Sequence, residues 1–260
     1  MAFGGRLVKS NPDHLFAMNN LTEFAWMSPD QVVGELWIPA LISLILAGFG
    51  RAVRGVTTRG ALAGAAVCLA LVVGAGRGGF AALLVVFLLT WASTRFGYAR
   101  KQRLGTAERR AGRNASQVLA NLGVAAVCAL VYATVWRDPR ILLAVGAALA
   151  EAAADTVSSE IGQAIGGVPR LVTNWNPVSA GTNGAVTLAG TAAGVAGAIA
   201  VSLTGIVAWR SAPICAAAGV LGMMADSFLG ATLERRGILG NNAVNFSSTA
   251  IAAAIALVAS

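Results

Sequence analysis

The chain has 260 residues, of which 57% are hydrophobic and only 12% charged, whereas soluble domains carry about 25% charged residues. This composition excludes an ordinary soluble globular protein. The net charge of +8 is distributed over short connections between apolar runs, which argues against a nucleic-acid-binding protein. The single histidine, His14, lies in a polar N-terminal stretch, so chemistry that requires a histidine base is not expected.

Residues 1–33 are predicted to form a polar N-terminal segment, a loop or surface helix rather than a removable signal, because no short apolar stretch with a cleavage site opens the chain. Residues 34–260 are predicted to form a membrane helical domain, since apolar stretches of about 17–25 residues can span a bilayer. The candidate spans are 35–50, 60–75, 78–94, 116–136, 140–157, 184–207, 212–233 and 243–259. The predicted fold is therefore all-α, a polytopic bundle of about eight transmembrane helices packed through small residues.

Basic residues alternate between the two sides of these spans. One side would carry thirteen of the 19 Lys and Arg residues: Arg51, Arg54, Arg59, Arg95, Arg100, Lys101, Arg103, Arg109, Arg110, Arg113, Arg170, Arg235 and Arg236. The positive-inside tendency places that side in the cytoplasm, with both termini outside a plasma (inner) membrane. The most basic connection, between the third and fourth spans, would either bind lipid headgroups or contribute to a polyphosphate clamp.

Carboxylates recur in the apolar spans near this cytoplasmic side. In "EAAADTVSSE", Glu151 and Asp155 share one helix face, and Glu160 would close the helix. Asp226 would reach a similar depth in the seventh span. Because a carboxylate at membrane depth costs about 2.5–3.5 kcal/mol, the cluster needs protons, basic partners or a cation. Oxygen ligands without His or Cys suit Mg²⁺, and the alternative is acids bonded to Arg, Ser or backbone.

Three polar stretches approach the same side. "RNASQVLAN" opens the fourth span with Arg113 and, on one helix face, Asn114, Gln117 and Asn121; these side chains would line a site, or cap the helix and bond between helices. "SAGTNG" leads Gly181, Thr182 and Asn183 into the sixth span, where helix N–H groups could hold phosphate or the turn could serve only as a cap. In the last span Asn241, Asn245 and Thr249 recur every four residues, and Asn242 also lies near their face, which would meet a polar cavity or a packed neighbour.

Five blocks in order, "RNASQVLAN", "ADTVSSEIG", "GTNGAVTLAGT", "GMMADSFLGATLE" and "VNFSST", resemble the signature blocks of the integral membrane family that includes plant phytyl-phosphate kinase and transmembrane protein 19. The resemblance covers residues 35–258. It implies a prenyl-phosphate kinase, similar to polyprenol kinases and lipid cytidylyltransferases. The implied donor is CTP or another nucleoside triphosphate, the acceptor an isoprenoid monophosphate lipid and the cofactor Mg²⁺.

The resemblance also implies roles for residues of this chain. Asp155, Glu160 and Asp226 fall in the acidic motifs and would be catalytic metal ligands. The candidate substrate-binding residues of the same blocks are Arg113, Asn114, Gln117, Asn121, Ser159, Gly181, Thr182, Asn183, Asn242 and Asn245. The family has an acidic residue in the block before "VN" where this chain has Asn242, which argues against a metal role for the last span.

Phosphoryl transfer suits these residues because it depends on positioning and charge neutralisation more than on covalent chemistry by the protein. Two alternatives remain. A cytidylyltransferase would use the same donor and metal but form a CDP-lipid and pyrophosphate. An ion-coupled transporter would use the acids as ion sites, usually with repeated halves and sites near the midplane; this chain has no visible repeat, and its acids cluster toward one surface.

Overall fold

The structure, a computed structural model, describes residues 29–108 and 111–260. The helices are α1 Pro29–Ala52, α2 Thr58–Arg95, α3 Tyr98–Arg103, α4 Ala115–Thr134, α5 Pro139–Ile165, α6 Leu188–Ser202, α7 Ala212–Leu229 and α8 Asn241–Val258. A short 3₁₀ turn, Trp209–Ser211, precedes α7, and a π-helical turn, Gly230–Glu234, follows it. Most of the predicted polar segment 1–33 lies outside the described residues, as do His14, Arg109 and Arg110, and α1 begins at Pro29.

The helical segments confirm the predicted membrane bundle. Five are long and apolar enough to cross a bilayer: Thr58–Arg95, Ala115–Thr134, Pro139–Ile165, Trp209–Glu234 and Asn241–Val258. Two shorter apolar helices, Leu36–Ala52 and Leu188–Ser202, accompany them. The first of the five contains two predicted spans, so the described residues provide eight apolar helical segments.

Helix α2 reverses direction at Gly76. This residue has φ 59° and ψ −146°, a combination that residues with a Cβ atom rarely adopt. The reversal brings both ends of α2 together: the Trp91 indole N–H donates to the Val53 carbonyl at 3.4 Å, and Val53 lies a few residues before the helix starts. Residues 58–75 and 77–95 therefore form an antiparallel pair, which is why the predicted spans 60–75 and 78–94 appear as one helix.

Helix α5 occupies the centre of the bundle. It packs against α2, α3, α4, α6, α7 and α8, and 83% of its most apolar stretch is buried. Small residues allow α6 to approach closely: a Cβ added to Gly190 would lie 2.5 Å from the Ser158 carbonyl oxygen, and one added to Gly194 would lie 2.8 Å from that of Ala154. The predicted packing through small residues is confirmed at this crossing.

Interhelical contacts define two ends of the bundle. At one end, called the basic end below, the Thr57 N–H donates to the Arg113 carbonyl at 2.9 Å, and Arg100 Nε donates to the Gln163 carbonyl at 3.2 Å. At the opposite end a Cβ added to Gly78 would lie 2.7 Å from the Gly205 carbonyl oxygen. The cationic connections therefore meet at one end, as their alternation along the sequence requires.

Two element boundaries near the basic end differ from the prediction. Helix α5 continues past Glu160 to Ile165 and ends at Gly166, whose φ is 89°. Helix α6 begins at Leu188 instead of residue 184 because the chain first forms a two-stranded antiparallel hairpin. In this hairpin β1, Arg170–Leu171, pairs with β2, Ala185–Val186, in the register Arg170 to Val186.

Candidate active site at the basic end

A polar cavity of about 310 Å³ lies at the basic end between α4, α5, α7, α8 and the hairpin segment. Most of the sequence-predicted site residues line it: Arg113, Gln117, Asn121, Asp155, Ser159, Glu160, Gly181, Thr182, Asn183, Asp226 and Asn245. Two predicted residues, Asn114 and Asn242, do not line this cavity. The separate polar stretches of the sequence thus meet in one place.

Two aspartates form the acidic centre of the cavity. Asp155 of α5 and Asp226 of α7 both line the cavity and lie close enough to interact electrostatically. The Ser248 hydroxyl of α8 lies 3.1 Å from Asp226 Oδ2. The same hydroxyl lies 3.0 Å from the Asn245 carbonyl of its own helix, so the contact joins Asp226 to the first half of α8.

A third carboxyl group lies behind this pair. Glu151, one helical turn before Asp155, is only 1% exposed, and its Oε1 has no hydrogen-bond partner among the residues that the structure describes. It interacts electrostatically with both aspartates. A buried group of three acids with an unpaired oxygen is costly without a compensating cation or proton.

Glu160 does not join this acidic group. Its carboxylate forms an ion pair with Lys101 of α3, whose side chain is fully buried, and accepts a 3.5 Å hydrogen bond from the Thr94 hydroxyl. Lys101 Nζ also donates to the carbonyls of Ser93 and Thr94 at 2.9 and 2.7 Å. The predicted three-carboxylate ligand set is therefore not assembled, because Glu160 is held by the connection after α2.

The remaining oxygen donors fit a magnesium ion shared with a substrate. Within residues 29–108 and 111–260, no three His, Cys, Asp or Glu side chains are grouped closely enough to hold a metal by themselves. Mg²⁺ is usually held by one or two carboxylates together with substrate phosphates and water. Asp155 and Asp226 supply such a pair, and the cavity adds hydroxyl and amide oxygens from Ser159, Thr182 and Asn183.

Arg113 is the only Lys or Arg among the described residues that line the cavity. Its Nη2 donates to the Thr156 hydroxyl at 3.2 Å, and its charge interacts with Asp155. The predicted polyphosphate clamp is divided in the structure: Lys101 and Arg100 bind protein carbonyls, while Arg109 and Arg110 lie outside the described residues. Arg113 is therefore the described residue of this basic connection whose side chain lines the polar cavity.

The asparagine stripe at the start of α4 both caps the helix and bonds to α8. Asn114 and Gln117 form a reciprocal capping box, with N···O distances of 3.0 and 2.9 Å. Asn245 Nδ2 donates to Asn121 Oδ1 at 3.3 Å, and Asn242 Nδ2 donates to Ser116 Oγ at 3.1 Å. Asn114 and Asn242 are thus engaged at the helix ends, while Gln117, Asn121 and Asn245 reach the cavity.

The turn before β2 covers one side of the cavity. Gly181 and Gly184 have φ values of 84° and 76°, and a Cβ added to Gly184 would lie 2.4 Å from the Ala231 nitrogen. The Thr182 hydroxyl donates to the Ser179 carbonyl at 2.8 Å. These residues belong to a tight turn and not to the first turn of α6. Helix α6 is capped by Thr187, whose hydroxyl accepts a 3.0 Å hydrogen bond from the Gly190 N–H. The predicted phosphate seat is therefore a glycine turn, and the helix start is one strand further along the chain.

Several cavity-lining residues were not among the predicted site residues. Ser158, Gly184, Ser227, Glu234 and Asn241 belong to the polar stretches recognised in the sequence but were given no role. The others are Thr106, Glu108, Thr156, Gly162, Gln163, Pro169, Ala180, Ala185, Thr187 and Gly230. Thr187 could have been found, because a threonine before an apolar run is a typical N-cap. Thr106 and Glu108 lie in an irregular connection without periodicity, which gave no signal. Glu234 ends a π-helical turn, and π-helical turns are frequent at functional sites but are not readable from sequence.

Comparison with known proteins identifies the family. Residues 41–253 match the family described as integral membrane protein DUF92. The uncharacterized membrane protein sll0875 of Synechocystis sp. is 31% identical over 247 residues, covering 88% of this chain and 96% of the relative. Protein PGR of Arabidopsis thaliana is 33% identical over 234 residues, covering 70% and 81%. Protein VTE6, chloroplastic, of the same plant is 28% identical over 194 residues, covering 70% and 58%.

No solved structure matches the chain. The family match extends from α1 to α8 and includes every element that contributes to the polar cavity. It also confirms the family inferred from the five ordered sequence blocks. The chain belongs to the DUF92 family of integral membrane proteins.

Proposed function

We propose that the protein is a prenyl-phosphate kinase, which transfers the terminal phosphate of a nucleoside triphosphate, CTP by the family resemblance, to a membrane isoprenoid monophosphate. The observation that carries this proposal is the meeting of Asp155, Asp226 and Arg113 in one polar cavity at an end of a membrane bundle. Carboxylates for a metal and a cation for phosphate are the parts that phosphoryl transfer requires. The resemblance to the family of plant phytyl-phosphate kinase and the likeness to the chloroplastic protein VTE6 support it.

The transfer is a single displacement at phosphorus. An oxygen of the prenyl monophosphate attacks the terminal phosphorus of the nucleotide and forms the new P–O bond. The bond from that phosphorus to the bridging oxygen breaks, and the nucleoside diphosphate leaves with the electron pair. The products are a prenyl diphosphate and CDP. Because the second pKa of a phosphate monoester is about 6, the acceptor is largely dianionic at neutral pH and needs no strong protein base.

The residues of the cavity have different roles in this phosphoryl transfer. Asp155 and Asp226 would hold Mg²⁺, which when bound neutralises the phosphate oxygens and aligns the two substrates. Arg113, anchored by Thr156, attracts the acceptor phosphate and the transferred phosphoryl group. Asn121 and Asn245, bonded to each other, keep the floor of the cavity rigid. Glu160 acts from a distance by holding Lys101 and the connection that precedes Arg113.

The positive-inside tendency supports a cytoplasmic location for the basic end in a plasma (inner) membrane. In that orientation a soluble nucleotide reaches the cavity from water, and the lipid reaches it from the bilayer. The polar hairpin segment that includes Gly181, Thr182 and Asn183 would then face the nucleotide.

The test is mass spectrometry of products from purified protein with Mg²⁺, CTP and geranyl monophosphate. We expect geranyl diphosphate and CDP, and we expect Asp155→Asn and Asp226→Asn each to lower turnover by about 100-fold or more. Asp138→Asn is the matched control, because Asp138 caps α5 at the opposite end and pairs with Arg140. Its turnover should equal that of the unaltered protein.

Other products would contradict the kinase assignment in distinct ways. CDP-linked lipid and pyrophosphate would assign the cavity to a cytidylyltransferase. No turnover with CTP or ATP and several prenyl monophosphates, together with ion flux in liposomes, would assign it to an ion-coupled transporter. Full activity in both aspartate variants would show that this cavity is not the active site.

A further inference from the structure

A second cavity, of about 120 Å³, lies beside the polar cavity between α1, α2 and α4. Most of its wall is apolar, and we call it the apolar groove. The side chains and backbone that define it include Leu46, Gly64, Val86, Phe87, Val118 and Leu122. Nothing in the proposed chemistry uses these residues.

The apolar groove is continuous with the polar cavity. Glu108, Arg113 and Asn121 line both, so Arg113 stands where the apolar wall gives way to the acidic site. Two more cations, Arg54 and Arg95, line the groove. The Arg95 guanidinium lies 4.4 Å from the centre of the Trp91 ring and uses one nitrogen, Nη2, to donate to the Val53 carbonyl. The groove therefore combines an apolar body with a cationic mouth, which is the chemistry that binds an amphiphilic anion.

The length of the groove matches one leaflet of a membrane. Along α2 its wall runs from Arg95 to Leu83, a distance of about 18 Å at 1.5 Å per residue. The hydrocarbon core is about 30 Å thick, so one leaflet contributes about 15 Å. Large exposed apolar side chains lie beside the lining positions on the same helices, at Leu62, Leu88 and Leu119. The surface around the groove is thus suited to contact hydrocarbon.

We propose that the apolar groove holds the hydrocarbon tail of the acceptor lipid, with the lipid phosphate at Arg113. This inference rests on the proposed kinase function and adds that the two substrates bind in different cavities. The nucleotide occupies the polar cavity, the prenyl chain occupies the groove, and phosphate is transferred across the boundary at Arg113. The groove also limits the length of the acceptor's prenyl chain. The chain starts at the phosphate on Arg113 and extends into a groove of fixed length.

Gly64 provides a position at which the groove can be blocked. It lies on the groove wall, and a Cβ added there would have no heavy atom of the described residues within 4 Å, apart from the backbone of its own helix. A leucine at this position would extend into the groove without displacing protein atoms near its Cβ. Gly123 of α4 is a matched position, since its added Cβ also has nothing within 4 Å and it lines neither cavity.

The experiment compares kcat/KM for dimethylallyl monophosphate and geranylgeranyl monophosphate in the unaltered protein, Gly64→Leu and Gly123→Leu. Gly64 lies about 6 Å along the helix from Gly60, whose added Cβ would contact the Arg113 carbonyl, so the five-carbon acceptor ends before the blocked position and the twenty-carbon acceptor must pass it. We expect Gly64→Leu to lower the value for the longer acceptor at least about tenfold more than for the shorter one. Gly123→Leu should leave the ratio unchanged. An equal effect on both acceptors in Gly64→Leu, or the same loss in Gly123→Leu, would overturn the proposal.

A second measurement is independent of turnover. Geranylgeranyl monophosphate with a diazirine on its terminal isoprene unit is photolysed with the unaltered protein, and the labelled peptides are sequenced. We expect labels in α1, α2 and α4 at groove residues such as Phe87, reduced by excess unlabelled geranylgeranyl monophosphate. Labels confined to other helices, or equal competition by phosphatidylglycerol, would overturn the tail site. If no acceptor is turned over but groove labelling and competition occur, the kinase function fails and the lipid site stands.

Discussion

Lys101 and Glu160 form an ion pair in which the lysine side chain is fully buried and the carboxylate is 12% exposed. The pair joins the short helix α3 to the central helix α5, and it also ties down the last turn of α2 through two carbonyls. It therefore fixes the connection that leads to Arg113.

Removal of the lysine tests this structural role. Lys101→Ala should lower the free energy of unfolding by about 3–5 kcal/mol, because it leaves the Glu160 charge and two carbonyls without their partner. Thermal unfolding in detergent, followed by size exclusion, measures the loss. The double variant Lys101→Met with Glu160→Gln should be less destabilised than Lys101→Ala, since no unpaired charge remains. Equal destabilisation of the two would contradict this account.

Gly184 is predicted to be irreplaceable for two reasons, its φ of 76° and its contact with Ala231. Gly184→Ala should lower stability by more than the about 1–2 kcal/mol that left-handed backbone costs a residue with a Cβ atom, and it should raise the KM for the nucleotide. Gly167→Ala is the control, because Gly167 has φ 106° but open space at the Cβ position. The KM for the nucleotide and the melting temperature are measured for both variants. Gly167→Ala reports backbone strain alone, and Gly184→Ala reports backbone strain together with the clash against Ala231. Identical behaviour would show that the close approach is unimportant.

Ser248 is predicted to position Asp226, the proposed metal ligand. Ser248→Ala removes the hydroxyl 3.1 Å from Asp226 Oδ2, and we expect the Mg²⁺ concentration for half-maximal turnover to rise about 10–100-fold, as for other partners of metal ligands. Ser247→Ala controls for loss of a neighbouring hydroxyl, because among the described residues Ser247 bonds to the Ala243 carbonyl of its own helix and not to Asp226. A Mg²⁺ titration of turnover distinguishes them. An unchanged half-saturation in Ser248→Ala would remove Ser248 from this role.

The reversal at Gly76 should not tolerate a side chain. Gly76→Ala is expected to cost about 1–3 kcal/mol, because its φ and ψ lie in a region essentially reserved for glycine, and the cost should appear as a lower yield of monodisperse protein. Gly123→Ala, in a regular helix with open space, should be neutral or slightly stabilising. Similar yields for both would mean that the hairpin of α2 does not depend on this glycine.

The helical bundle was readable from sequence because long apolar runs separated by cations determine both the spans and their alternation. Depth also follows from position along a span, which is why Asp155 and Asp226 could be placed near one another. The pairing of Glu160 with Lys101 could not be predicted, since it depends on the rotation of α5 about its axis and on a contact across 59 residues.

Short elements and dual-purpose residues account for the other differences. Strands of two residues carry no periodic pattern, so the hairpin was missed and α6 was predicted to start too early. Asn114 illustrates a second difficulty: the same amide that could bind a substrate also makes a good N-cap, and only the structure distinguishes the two. The metal and substrate roles of the cavity residues stay predictions.

The central position of α5 has a consequence for biosynthesis. Its neighbours α6, α7 and α8 are synthesised after it, yet they cover the face that carries Glu151 and Asp155. On insertion scales each carboxylate near the middle of a lone helix costs about 2.5–3.5 kcal/mol. In a nascent chain that ends after α5, this helix should therefore be inserted in the bilayer only weakly. Its inserted state is stabilised once α6, α7 and α8 have been synthesised and packed against it.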